Sequence, residues 1–320
     1  MKDFVFKIVI FCILFAAVYA FFVDKLSKEY VDPYYNKFSQ EANGLILGLS
    51  RASEGISPEI IEEELNNCSF EKPIVNFAMN TVQSSYGEIY LRGIKKKLKP
   101  NSKNGLFIVS ISPGSFTAPF GMNDKNIFDM DKEGIIGKID NFTSAPNYSY
   151  IVSTYPLPLY NTLHDFDKWD HHKPHPSGWN EITQNGRFNK IGENDINHWK
   201  SLTIRYYKRK VEKEQFSNYR LNYFIKTIQY LKTIGNVFIV RLPADTDIIK
   251  TENDLWKGFD KQFDSISKQH DVKFLNYSSL GSDYKTYDGS HMLSTSAKKF
   301  SKLLGKDIRN SLMERNKYGK

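Results

Sequence analysis

Gly44-Leu45-Ile46-Leu47-Gly48-Leu49-Ser50-Arg51-Ala52-Ser53-Glu54-Gly55 is the stretch that decides how this chain reads. Leu45 to Leu47 is a short apolar run with no polar alternation, as expected of a strand buried on both faces. Gly48 breaks the run, Ser50 follows, and the chain turns toward a helix. A strand that ends in this way leaves a hydroxyl at its carboxyl end.

The pattern repeats outward from there. Ser57-Pro58-Glu59 opens a helix through Leu65, with serine as the cap and proline in the first turn. Ile74 to Met79 reads as a second strand and Ser85 to Leu98 as a helix. Leu106 to Ile111 is a third strand, closed by Pro113-Gly114. A helix over 215–233 leads to the strand Val237 to Arg241, a helix over 252–270 to the strand Val272 to Leu275, and a last helix covers 295–313. Short apolar strands alternating with helices predict an α/β domain with a parallel sheet covered on both faces. In such sheets function collects beyond the carboxyl ends of the strands, where Ser50, Asn80, Ser112, Pro243 and Asp288 all fall.

Tyr287-Asp288-Gly289-Ser290-His291-Met292-Leu293 puts a carboxylate and an imidazole three residues apart before the last helix. Serine is a poor nucleophile until a base takes its proton, and histidine does so best when a carboxylate fixes its tautomer. Ser50, His291 and Asp288 supply these parts if the fold joins them. The alternative is that Ser50 caps a helix and Asp288 belongs to a turn.

Residues from about 115 to 207 interrupt the alternation. They are rich in Asn, Tyr, Pro, His and Gly, and so long an interruption reads as an insertion over the active edge. Its cluster His164, Asp165, Asp167, Asp170, His171, His172 and His175 matches no strong zinc spacing. A polar loop lining a cleft is the preferred reading, with no metal and no cofactor expected. The aromatic residues of the insertion suit sugar stacking as well as packing, and Trp179 is the candidate for an exposed platform. Arg241 either holds an anionic substrate group or pairs with Asp245 or Asp247.

Ahead of the domain, Phe4 to Val23 is apolar for long enough to cross a bilayer as a helix, with Lys2 and Lys7 near its start. An uncleaved anchor over 1–23 is the expectation; a signal peptide cleaved after Ala20 is the rival. Either way the remainder is read as exported, periplasmic or extracellular, with a stalk or first packing helix over 24–43 and the α/β domain over 44–320. Of the two cysteines, Cys12 lies in the apolar run, so Cys68 has no intrachain disulfide partner. The net charge of +8 includes Lys95, Lys96, Lys97 and Lys99 at a helix end, read as a solvated patch suited to the helix dipole. Nothing in the sequence reads as a nucleic-acid recognition motif.

The strand-Gly-x-Ser segment, Gly55 beyond it, the α/β alternation and Asp288-x-x-His291 together resemble the SGNH (GDSL-like) hydrolases. Gly48-Leu49-Ser50-Arg51-Ala52 with Gly55-Ile56-Ser57-Pro58 is similar to bacterial membrane-anchored members associated with cell-surface polysaccharide modification. The resemblance covers about 44–114 and 215–313. It implies a three-layer, flavodoxin-like fold with a five-stranded parallel sheet, and a metal-free esterase or O-acyltransferase acting on an acylated carbohydrate or another ester. It also implies Ser50 as nucleophile, His291 as base and Asp288 as its orienting acid. Leu49 stands where the family usually has aspartate, and Ser112-Pro113-Gly114-Ser115 where it has Gly-x-Asn-Asp. The oxyanion donors implied are backbone N–H groups of Ser50 and of Asn80 or Gly114, assisted by the Asn80 amide or the Ser112 hydroxyl. A non-catalytic glycan-binding or scaffold protein that keeps the fold is the alternative.

Overall fold

Gly44–Leu47 forms β1, which pairs in parallel with β2 (Ile74–Asn76) on one side and β3 (Gly105–Ser110) on the other. These belong to a computed structural model that describes residues 1–163 and 169–318. β4 (Gly235–Arg241) pairs in parallel with β3, and β5 (Lys273–Asn276) with β4. The chain is thus α/β, with a five-stranded parallel sheet in the order β2-β1-β3-β4-β5. The connections leave β1 in opposite directions, to β2 and then across to β3. A crevice is therefore expected beyond the carboxyl ends of β1 and β3.

Strand side chains alternate between two cores, because successive residues point to opposite faces. Leu45, Leu47, Phe107, Val109, Val237 and Ile239 join one core. Its other side comes from helices Glu88–Lys97, Asn218–Lys232 and Phe259–Gln269, through Ile94, Phe224, Ile228 and Phe263. Ile46, Leu106, Ile108, Phe238 and Val240 join the other core, with Ala52 and Ile61 from early helices and Phe300, Leu304 and Ile308 from helix Ser294–Tyr318. Burying a leucine or phenylalanine contributes about 1.5–3 kcal/mol each, so these two layers of side chains dominate the stability of the domain.

Several expectations are corrected. The helix read over 252–270 is two, Thr246–Leu255 and Phe259–Gln269, parted at Gly258, whose φ of 80° ends helical geometry. The region 115–207 contains most of a 21-residue helix, Glu193–Lys213, whose apolar contacts are only half-buried and divided between two small clusters, Ile196 and Trp199 in one and Ile204 and Tyr207 in the other. Lys97 is fully buried rather than solvated; its Nζ donates to the carbonyls of Gln40 and Phe142, and burial pulls its pKa down to about 7. Lys95 and Lys96 are exposed.

α1 (Lys2–Ser27) is one helix long and apolar enough to cross a membrane. Its last turns join the domain, with Val23 and Leu26 buried in the first core. Residues 31–43 pack there as well, through Val31, Tyr35, Phe38 and Ala42.

Candidate active site

Ser50 opens α2 (Ser50–Gly55), two residues past the glycine that ends β1. Gly48 has φ 131°, and a Cβ there would stand 2.7 Å from the Cβ of Ser110. Only glycine makes this turn between two strand ends in contact. The far end of α2 is fixed by buried Asn76, whose Nδ2 donates to the carbonyls of Ala52 (2.8 Å) and Ile56 (2.9 Å). The serine thus stands on a short helix held at both ends.

The second segment arrives from beyond β5. Gly289, with φ 80°, lets the chain fold back so that the N–H groups of Ser290 and His291 both donate to Asp288 Oδ1 at 2.8 Å. The other carboxylate oxygen, Oδ2, lies 2.7 Å from His291 Nδ1. His291 Nε2 lies 2.7 Å from Ser50 Oγ, across 241 residues of sequence. With Nδ1 donating to Asp288, the neutral imidazole leaves Nε2 free to accept the serine proton. The structure therefore joins Ser50, His291 and Asp288 in one hydrogen-bonded chain.

Electrostatics bias this chain toward charge. Burial alone would lower the pKa of His291, but the Asp288 and Glu54 carboxylates outweigh it and raise the value to about 9. Burial pushes Asp288 upward; the charge of His291 and three hydrogen bonds more than offset it and hold the carboxyl below its usual range. Glu54, one helical turn after Ser50, is shifted up by burial and by Asp288, and accepts a 2.9 Å hydrogen bond from Tyr287.

A buried ion network fixes the two halves of the site to each other. Arg51 Nε donates to Ser290 Oγ at 2.8 Å, and its NH2 reaches both Glu252 (2.9 Å) and the Tyr207 hydroxyl (2.9 Å). Glu252, only 2% exposed, also meets Arg241 at 3.2 Å. The residue after the serine is thereby bonded to the residue before the histidine.

Ser50 lies between two clefts. One, of about 280 Å³, has Ser112, Gly114, Tyr206, Lys210 and His291 among its walls. The other, of about 220 Å³, is bounded by Tyr30, Tyr34, Glu54, Asn80 and Trp169. Two of the expected oxyanion and substrate residues, Ser112 and Gly114, therefore border the first cleft, and Asn80 borders the second. The Asn80 amide is engaged: Oδ1 caps the next helix at Val82 and Gln83, and Nδ2 donates to the Tyr34 hydroxyl at 2.7 Å.

Two expectations fail. Trp179 is not an exposed platform: it is 2% exposed, its Nε1 donates to the Glu54 carbonyl at 2.8 Å, and His175 stacks on its ring. Trp169, 45% exposed, takes the open position instead. Arg241 meets neither substrate space nor Asp245 or Asp247; it is fully buried against Glu252, Asn253 and Asp260. Of the histidine-rich cluster, His164, Asp165 and Asp167 lie outside the described residues. His171 bonds Thr183 and Asn189, and His175 bonds Glu181. Among the described residues no group of three or more His, Cys, Asp or Glu is placed to hold a metal ion.

Sequence reasoning missed Glu54, although its spacing of four from Ser50 on one helix is a legible sign that the two share a face. It also missed Tyr207 and Lys210, which come from helix Glu193–Lys213. No family model, curated protein or solved structure matches this chain.

Proposed function

We propose that this chain is an exported serine esterase or O-acyltransferase of the SGNH type, held to a membrane by α1 and acting on acyl groups of cell-surface glycans. The observation that carries the reading is His291 bridging Ser50 and Asp288 at 2.7 Å on either side. The sheet order and the two cores support a three-layer α/β/α arrangement of that type.

The chemistry follows from the hydrogen bonds. Ser50 Oγ attacks the acyl carbonyl while its proton passes to His291 Nε2, and Asp288 stabilises the imidazolium. Collapse of the tetrahedral adduct breaks the ester C–O bond, and His291 returns the proton to the departing alkoxide. The acyl-serine is then attacked by water or by a sugar hydroxyl; His291 accepts that proton and returns it to Ser50 Oγ as the bond between the acyl carbon and Ser50 breaks. The backbone N–H of Ser50 and that of Gly114, on the wall of the first cleft, are the donors offered to the oxyanion. Each such donor is worth on the order of 10²–10³ in rate.

Two clefts meeting at the serine suit a reaction with both a donor and an acceptor. The aromatic walls of the second, Trp169 and Tyr34, suit a sugar ring. Tyr30 in that wall lies three residues beyond the end of α1, a reach of at most about 10 Å of extended chain. Such a cleft faces substrates presented at the membrane surface.

One observation favours the second reading, a glycan-binding protein without turnover: the Asn80 amide is spent on a helix cap and on Tyr34. Labelling the detergent-solubilised full chain with a fluorophosphonate probe decides between them. Labelling that is lost in both Ser50→Ala and His291→Ala supports the enzyme. A folded chain that does not label, yet binds glycan equally well with and without Ser50, supports the binding protein.

A further inference from the structure

Residues 148–163 comprise a short helix, Tyr148–Thr154, and a turn of 3-10 helix, Leu159–Leu163, both packed beside α1. Two polar contacts fix the height of this segment along the helix. The Tyr148 hydroxyl donates to Asp24 Oδ1 at 2.9 Å, and Lys25 Nζ donates to the Thr162 carbonyl at 2.5 Å. Asp24 and Lys25 are the first charged residues after the apolar run, so these contacts mark the water side.

On the other side of that level the contacts turn apolar. A notch of about 440 Å³ opens between Phe15, Tyr19 and Phe22 of α1 and Val152, Leu157 and Tyr160 of the segment. Val152, Tyr160 and Leu163 are 56%, 59% and 58% exposed. From Phe22 back to Phe15 is seven residues of helix, about 10 Å at 1.5 Å per residue. The segment therefore reaches down beside a stretch of α1 that lies within the apolar run. An amphipathic segment seated in the interfacial plane buries its apolar side by about 5–10 Å, the same depth.

We propose that residues 148–163 are a second membrane contact, seated in the leaflet from which α1 emerges, with a phospholipid acyl chain filling the notch against α1. The inference rests on the membrane reading of α1. The occupant follows from continuity: one wall of the notch is the apolar run itself, and whatever surrounds Phe15 and Tyr19 also meets Val152 and Tyr160. The tyrosines at positions 19, 148, 155 and 160 suit the headgroup boundary, where an aromatic ring with a polar tip is favoured. Such a contact stops the domain from swinging about α1 and keeps the cleft beside Tyr30 turned to the membrane surface.

The test uses the full chain in phosphatidylcholine nanodiscs, with and without bromine on the acyl chains. Tyr160→Trp and Val152→Trp report on the segment, Phe21→Trp on α1, and Lys268→Trp on an exposed site at the amino edge of the sheet, opposite the Ser50 edge; the unsubstituted chain supplies the baseline of native tryptophans. The expected result is bromine-dependent loss of the added emission for Tyr160→Trp, Val152→Trp and Phe21→Trp, and none for Lys268→Trp. Loss at Phe21→Trp with none at Tyr160→Trp or Val152→Trp overturns the inference while leaving α1 in the membrane. No loss at Phe21→Trp overturns the membrane reading itself. Two copies per disc, with the segment shielded from bromine, would make the notch a seam between copies and overturn the inference equally.

Discussion

Glu54 and Ser50 stand one helical turn apart on the same six-residue helix, and both border the cleft walled by Trp169. The carboxylate therefore acts on the base as well as the space beside the serine. Asp288 and Glu54 together lift His291 to a pKa of about 9, against the lowering effect of burial. Only neutral imidazole can take the serine proton. Esterase kcat/KM is expected to rise with pH through the neutral range, reach half its maximum near pH 9 and level off about one unit above that. Glu54→Gln removes one of the two negative charges and moves that limb to lower pH, whereas a purely structural Glu54 would leave its position unchanged. The same shift has a stability consequence. Since His291 titrates higher in the folded chain than its ordinary 6.5, its pairing stabilises fully below that value. This contribution fades as pH rises from 6.5 through about 9, so the loss of Tm on replacing His291 with Gln should be largest near pH 6, smaller at neutral pH and small at pH 10.

Gly48 supports a second expectation. Its φ of 131° is a region closed to side chains, and an added Cβ would collide with Ser110. Gly48→Ala should cost on the order of 1–3 kcal/mol from backbone strain, plus the cost of moving Ser110 aside. The displaced Ser50 should also lower kcat. Gly114→Ala is the control for stability alone, since its nearest neighbours beyond the local chain are 3.6 and 3.9 Å away and its φ is ordinary. Chemical unfolding of the two variants separates these effects.

What could be read beforehand follows from where each side chain goes. Strands β1 to β4 were legible because both faces are largely buried, which leaves an apolar run, whereas β5 is only half-buried. Ser50, Asp288 and His291 were legible because each follows the end of a strand or precedes a helix at a spacing with chemical meaning. Helix Glu193–Lys213 was hidden because the few apolar residues that face the domain, Ile196, Trp199, Ile204 and Tyr207, are half-buried and interspersed with charged and polar ones. Trp179, Arg241 and Lys97 misled because burial of a polar or aromatic side chain depends on its partners. The Glu54 carbonyl, the Asp260 carboxylate and the Phe142 carbonyl come from distant sequence, and no local pattern announces them.

Replacing Trp169 tests recognition apart from chemistry. Its ring stands in the second cleft, edge-on to Tyr287 at 5.6 Å, and is nearly half exposed. Removing an aromatic stacking contact is worth about 0.5–1.5 kcal/mol, so Trp169→Ala should raise KM for a glycan ester about 2- to 10-fold. Hydrolysis of a small activated acetate ester should be unaffected. If both substrates suffer equally, Trp169 supports the fold of the insertion rather than the sugar.

Glu252 carries the last and largest expected effect on stability. It is the carboxylate between Arg51 and Arg241, with distances of 2.9 and 3.2 Å and 2% exposure. Removing it leaves two buried guanidinium groups, of which Arg241 retains Asp260 and Asn253 while Arg51 retains only hydroxyl partners. Breaking a buried pair in this way costs about 3–5 kcal/mol. Glu252→Ala should therefore unfold at clearly lower urea concentration. Because Arg51 also bonds Ser290, its release loosens the join between α2 and the turn that carries His291. Glu252→Gln keeps the volume and one acceptor, and should retain more of both stability and fluorophosphonate labelling than Glu252→Ala. Equal stability of Glu252→Ala and the parent chain would show that the network does not hold the site together.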